Sequence, residues 1–157
     1  MQRRVVLSGL VLSPVLAVIG CGTSQDQVKT DVSLIANGLS GVVSALQALP
    51  AGRIPPDVLS RAQAIIGDIR MNAAAISQAI TANPDTVQAI SSSVSTLSVL
   101  LTPFFPAAPA VGLAVQAALA LLPVVLAAVG RTPAAATAAP KMTPEQARAV
   151  LTSAAAK

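Results

Sequence analysis

The fold is decided by the stretch VKTDVSLIANGLSGVVSALQAL, residues 28–49. Its aliphatic residues recur at alternating intervals of four and three: Val28, Val32, Ile35, Leu39, Val42, Leu46 and Leu49. This spacing places them on one face of an α-helix, and polar residues occupy the opposite face. Because an amphipathic helix needs a surface to cover its apolar face, the stretch predicts a helix that packs against other helices.

Two further segments repeat this pattern. Their apolar seams are Leu59, Ala62, Ile66, Ile69, Ala73, Ile76 and Ile80 in the first, and Val87, Ile90, Val94, Leu97 and Leu101 in the second. The sequence Asn83-Pro84-Asp85 is typical of a helix start, since each residue satisfies or tolerates the free amides there. Pro50-Ala51-Gly52 ends the first helix and Pro55-Pro56-Asp57 opens the second, which predicts an antiparallel hairpin.

The segment 110–130 has no charged residue and is apolar on every side. Such a helix forms either the centre of a bundle or a membrane span. Residues 111–129 would extend about 28 Å, close to the roughly 30 Å of a hydrocarbon core, while Gln116 and Pro123 weaken insertion. We favour the bundle centre, in which Phe104 and Phe105 fill a corner of the core; a membrane span or re-entrant hairpin and an oligomer interface are the alternatives.

The C-terminal part begins with RTPAAATAAPK, residues 131–141, which has no periodicity and predicts a semi-extended linker. Thr143-Pro144-Glu145 then opens a short helix with few apolar residues, so we expect this helix either to be partly ordered or to need a partner. The prediction is an all-α protein: an antiparallel bundle of about four helices (roughly 25–49, 57–82, 84–102 and 110–129) and a C-terminal helix (144–155). The predicted segments are a signal peptide (1–20), a helical bundle (21–130), a linker (131–142) and a C-terminal helix (143–157).

Two charge pairs have helical spacing. Asp57 and Arg61 are four residues apart, and Glu145 and Arg148 are three apart. We expect both to be solvated surface pairs that contribute a few tenths of a kcal/mol each.

Three glycines, Gly38, Gly41 and Gly67, lie inside predicted helices, where each costs about 1 kcal/mol relative to alanine. Close approach of a neighbouring helix and simple local weakness explain them equally well.

The N-terminus has the layout of an export signal: Arg3 and Arg4, then an apolar run from Val5 to Ile19, then small residues around the only cysteine, Cys21. The residues Val18-Ile19-Gly20-Cys21 resemble the lipobox of bacterial lipoproteins. The resemblance implies attachment of a diacylglyceryl group to the Cys21 thiol, cleavage between Gly20 and Cys21, and a mature chain that contacts membrane lipid through the acylated (palmitate-bearing) Cys21. The alternative is that Cys21 is an ordinary small residue at the end of an uncleaved anchor.

The export route and the final membrane follow from neighbouring residues. Arg3-Arg4-Val5-Val6-Leu7 is similar to a twin-arginine signal, and the general secretory route is the alternative. With Gly22 directly after the cysteine, the sequence resembles those of lipoproteins sent to the periplasmic face of the outer membrane; the inner membrane is the alternative.

Composition argues against catalysis and nucleic-acid binding. Only 10% of the residues are charged, well below the roughly 25% of ordinary soluble domains, and histidine is absent. With no imidazole, one cysteine and scattered acids, the sequence predicts no catalytic, cofactor-binding or metal site. Ser91 to Ser95 (SSSVS) lack a base to activate them, and isolated basic residues without stacking aromatics predict no nucleic-acid partner.

Three function classes are left. The first is a structural or interaction lipoprotein of the cell envelope, whose bundle contacts an envelope protein or another copy of itself. The second is a membrane-active protein that uses 110–130 as a second membrane contact. The layout loosely resembles Ala-rich lipoproteins of prophages, including the outer-membrane spanin subunits of lysis modules. The third is a carrier of an apolar ligand, for which the sequence offers no polar anchor.

Overall fold

The computed structural model describes residues 24–132 and 142–156. Within these ranges the protein is all-α, which confirms the predicted helical bundle with a short C-terminal helix. The helices are α1 (Gln25–Gln47), α2 (Pro56–Gln78), α3 (Pro84–Leu101), α4 (Pro109–Ala128) and α5 (Pro144–Ala155), and a 3-10 turn, Thr102–Phe104, follows α3. The predicted signal peptide (1–20), the Gly20-Cys21 site and most of the predicted linker lie outside the described residues.

At the starts of α1, α3 and α5, side chains accept hydrogen bonds from free backbone amides, whereas α2 and α4 begin at a proline without a side-chain cap. Ser24 Oγ accepts a hydrogen bond from the Gln27 amide at the start of α1, and Asn83 Oδ1 accepts one from the Asp85 amide at the start of α3. At α5, Thr143 and Gln146 cap each other's backbone amides in a capping box. These local contacts explain why the helix starts follow the sequence signals closely.

The first four helices run up and down and close into a ring, because α1 packs against both α2 and α4, and α3 packs against both α2 and α4. The Gln25 side-chain oxygen accepts a hydrogen bond of 2.9 Å from the Ala82 amide, and Arg131 pairs with Asp85. These contacts join the start of α1, the loop 79–83 and the end of α4 at one end of the bundle, which we call the proximal end. α5 lies against α1 and α4.

The predicted seams form the core. Every seam residue of α1 and α3 inside the helices is buried, as are Ala62, Ile66, Ile69, Ala73 and Ile76 of α2. Leu49 and Leu59 are half-buried. The prediction was wrong at Ile80, which is 93% exposed, because α2 ends at Gln78 rather than at residue 82. Ala79 is extended (ψ 151°), and the chain needs residues 79–83 to turn back into α3.

The apolar helix α4 is one of the four helices of the ring and the most buried of them. It packs against α1, α3 and α5, and its buried residues include Val115, Leu121 and Val125, each with no exposed surface. Two described helical segments are long and apolar enough to cross a membrane by length and composition: 84–104, with mean hydropathy 1.3, and 109–128, with 2.3. The latter is 61% buried in this fold, so contact with other helices accounts for its composition.

Candidate functional site at the interface of α1 and α5

The interface between α1 and α5 is unusually close because two glycines of α1 face α5. A β-carbon at Gly38 would lie 2.5 Å from Leu151 Cδ2 and 3.2 Å from Leu151 Cα, and one at Gly41 would lie 2.2 Å from the Ala154 carbonyl oxygen. Non-bonded carbon atoms prefer a separation of about 3.5–4.0 Å, so no larger residue fits without moving α5. Close helix approach therefore explains Gly38 and Gly41. Gly67 has no neighbour within 4 Å, so this explanation does not extend to it.

The apolar face of α5 is narrow but completely covered. Ala147 and Leu151 have no exposed surface. Of the two expectations for this helix, partial order or the need for a partner, the structure supplies the partner from within the chain, since α5 packs into the groove between α1 and α4.

A buried ion pair joins the same two helices. Arg148 Nε and Nη2 donate hydrogen bonds of 2.8 Å to Asp31 Oδ1 and Oδ2, and Gln27 Nε2 donates a third, of 3.0 Å, to Oδ1. Asp31 is fully buried, whereas 31% of the Arg148 side chain is exposed. Two parallel bonds fix both the distance and the orientation of the guanidinium, so the pair sets the register of α5 on α1.

The charge of the carboxylate acts on its partner. The hydrogen bonds to Asp31 raise the pKa of Arg148 above its ordinary value; burial lowers it, and the charges of Asp31 and Glu145 raise it further. The predicted surface pair between Glu145 and Arg148 is therefore replaced by a buried pair with Asp31. Among residues 24–132 and 142–156, the ion pairs are Arg148 with Asp31 and Arg131 with Asp85; Asp57 and Arg61 form none.

A shallow groove of about 590 Å³ follows this interface; most of its lining residues are polar, but the surface that they expose is mainly apolar. It is lined by Lys29, Thr30, Ser33, Leu34, Asn37, Arg148 and Thr152. Two of its hydroxyls are already engaged, since Thr30 donates to the Asp26 carbonyl and Thr152 to the Arg148 carbonyl. The amide, hydroxyl and ammonium groups of these side chains can form hydrogen bonds with a contacting molecule.

The other residues singled out in the sequence show no assembled chemistry. Ser92 and Ser95 donate their hydroxyl hydrogens to backbone carbonyls one turn earlier, those of Gln88 and Ser91. In the described ranges, no three His, Cys, Asp or Glu side chains lie together as a metal site would require. The predicted lipidation residue, Cys21, and the cleavage position at Gly20 lie outside these ranges.

Sequence reasoning missed the pairing of Asp31 with Arg148. A signal was present, because Asp31 lies three residues after Val28 and four before Ile35, within the apolar face of α1. A charge at such a position needs a partner. Its partner is 117 residues away, on a helix whose place in the bundle the periodicity does not specify.

The comparisons with known proteins add no relative. No protein-family model matches this sequence, and no curated protein or solved structure is significantly similar to it.

Proposed function

We propose that this protein is a bacterial lipoprotein that is anchored by Cys21 and has a structural or interaction role in the cell envelope. The observation that carries the proposal is the order of features at the N-terminus: Arg3-Arg4, the apolar run 5–19, and Val18-Ile19-Gly20-Cys21. This arrangement is specific for export and lipid attachment, and Cys21 is the only cysteine in the chain. Lipid on Cys21 would hold the protein at the membrane surface, on the periplasmic face of the outer membrane.

The fold supports an interaction role for the part that follows the anchor. α1 begins at Gln25, so a packed helical body starts four residues after Cys21. Its core is filled by its own helices, and the groove between α1 and α5, of about 590 Å³, is larger than a second groove of about 390 Å³ between α1 and α2. We assign this groove as the contact surface for an envelope protein or for a second copy of the chain.

Fractionation of a Cys21→Ser variant tests the anchoring. The wild-type protein is expected to resist alkaline extraction from membranes, whereas Cys21→Ser should appear in the soluble periplasmic fraction after signal cleavage, because it is exported but has no lipidation site. Thr23→Ser is the matched control, because it also introduces a serine close to the predicted cleavage position but leaves the lipobox intact. A Cys21→Ser protein that has lost residues 1–20 and still resists extraction would overturn the proposal.

A second candidate function is a membrane-active protein in which residues 110–130 make another membrane contact. The observation in its favour is the composition of α4, which is 20 residues long with a mean hydropathy of 2.3. This function requires α4 to leave the core and expose the seams that it covers. It predicts that overexpression harms the host only while Cys21 is intact or residues 110–130 are present; harmless expression of the intact protein would argue against it.

A further inference from the structure

The proximal end of the bundle carries an isoleucine that the core does not use. Ile80 lies in the loop 79–83 and is 93% exposed, more than any other large apolar residue of the described ranges; Met71, Val99 and Leu113 are less exposed and lie on helices. Single exposed apolar residues are common on soluble proteins, so exposure alone assigns no role to Ile80. Its position relative to Cys21 is the second observation.

The loop that carries Ile80 is held against the start of α1. The Ala82 amide donates a hydrogen bond of 2.9 Å to the side-chain oxygen of Gln25, and Ile80 is only two residues from Ala82. Cys21 precedes Gln25 by four residues, which span at most about 14 Å when fully extended. An acyl chain on Cys21 would therefore bring the membrane surface within reach of Ile80.

The proximal end has no excess of positive charge, and Glu145, at the start of α5 beside the first turns of α1, adds a negative charge there. The loop sequence 79–83 is AITAN, with no charged residue, and next to it Asp85 and Arg131 pair with each other. Asp26 and Lys29, in the first two turns of α1, have opposite signs. An exposed isoleucine among neutral polar groups is suited to the boundary between lipid headgroups and acyl chains, and it gives no net attraction to anionic lipid.

We propose that the proximal end rests on the lipid bilayer that holds the Cys21 anchor, with the side chain of Ile80 inserted at the boundary between headgroups and acyl chains. The inference rests on the proposed lipidation of Cys21 and adds an orientation to it. In this orientation the helices point away from the membrane, and the groove between α1 and α5 faces sideways from the bundle.

Site-specific fluorescence on the full-length protein tests this orientation. The protein is extracted from membranes in detergent and reconstituted into phosphatidylcholine vesicles. Acylated Cys21 has no free thiol, so a cysteine introduced as Ile80→Cys takes up an environment-sensitive fluorophore selectively. Val99→Cys is the matched control, because this site is exposed and apolar but lies near the opposite end of the bundle, and Met71→Cys, about 10 Å along α2 from the proximal end, is a control for depth.

The label at position 80 is expected to shift its emission to shorter wavelength on reconstitution and to be quenched by a quencher attached to the acyl chains. The labels at positions 71 and 99 should show neither change. If the protein stays on the vesicles while the label at position 80 behaves like the controls, the orientation is wrong and the anchoring stands. If quenching at position 80 requires the anionic lipid phosphatidylglycerol, the contact depends on charge, and the proposed insertion of Ile80 without such attraction is also wrong.

A separate result identifies failure of the anchoring itself. If the wild-type protein reacts with the thiol reagent at Cys21 and does not stay on the vesicles, Cys21 carries no lipid. The proposed function then fails, and the orientation fails with it.

Discussion

Replacing Gly41 by alanine is expected to destabilise the packing of α5, although the same change stabilises most helices. A β-carbon at this position would lie 2.2 Å from the Ala154 carbonyl oxygen and 3.0 Å from the carbonyl carbon. These are backbone atoms, so they cannot rotate away as a side chain can. Relief of the clash requires α5 to shift as a unit, which strains the contacts of Leu151 and the bonds between Asp31 and Arg148.

Two opposing terms decide how much Gly41→Ala changes the free energy of unfolding. Alanine gains about 1 kcal/mol over glycine in a helix, because the glycine backbone loses more freedom on folding. Forcing an extra carbon into a closely packed interface costs about 1–3 kcal/mol. Gly67→Ala is the matched control, because this position has no neighbour within 4 Å and should show the gain alone. We therefore expect Gly41→Ala to be about 1–3 kcal/mol less stable than Gly67→Ala.

Urea unfolding of the two variants in the Cys21→Ser background measures this difference, and hydrogen exchange identifies where it arises. The amides of α5 should exchange faster in Gly41→Ala, and those of α2 should be unaffected. If Gly41→Ala and Gly67→Ala gain the same stability and α5 keeps its protection, the close contact between α1 and α5 does not exist.

Three further predictions concern α5. Arg148→Met is expected to lower the free energy of unfolding by about 3 kcal/mol, because it leaves the Asp31 carboxylate buried without its cation; this is the lower end for a buried pair, since Arg148 is partly solvated. Adding Asp31→Leu should restore most of this loss. Additive losses in a double-mutant cycle would contradict the pairing. The hydrogen bonds to Asp31 raise the pKa of Arg148 above its ordinary value, so the stability from this shift is fully present below that ordinary value and is lost only as the pH rises through the raised one. The difference in stability between the wild type and Arg148→Met should therefore stay constant from about pH 7 to about pH 10, and a decline across that range would refute this. Thr143→Ala removes one half of the capping box and should cost about 1 kcal/mol, seen as faster hydrogen exchange in the first turn of α5; unchanged exchange would show that the cap contributes nothing.

The helices of the bundle could be predicted because their signals are local. Asn83-Pro84 and Thr143-Pro144 place two helix starts correctly, since capping involves residues two or three positions apart. The seams predicted the core because burial follows helical periodicity. The periodicity failed at Ile80, where the apolar residue fits the seam of α2 but the chain has already left the helix to reach Asn83.

The place of α5 could not be predicted, because it depends on contacts across the whole chain. Gly38 and Gly41 allowed two explanations until α5 was seen packed against them. The pairing of Asp31 with Arg148 joins residues 117 positions apart, and the nearer acid, Glu145, was the more obvious partner in the sequence. A single sequence specifies which residues face inwards, but not which distant helix meets them.

Intact mass spectrometry of the protein extracted from membranes tests the central proposal most directly. The proposal predicts a polypeptide that begins at Cys21 and carries the additional mass of a diacylglyceryl group and fatty acid on that residue. A chain that retains residues 1–20, or one in which Cys21 is an unmodified thiol, would contradict it.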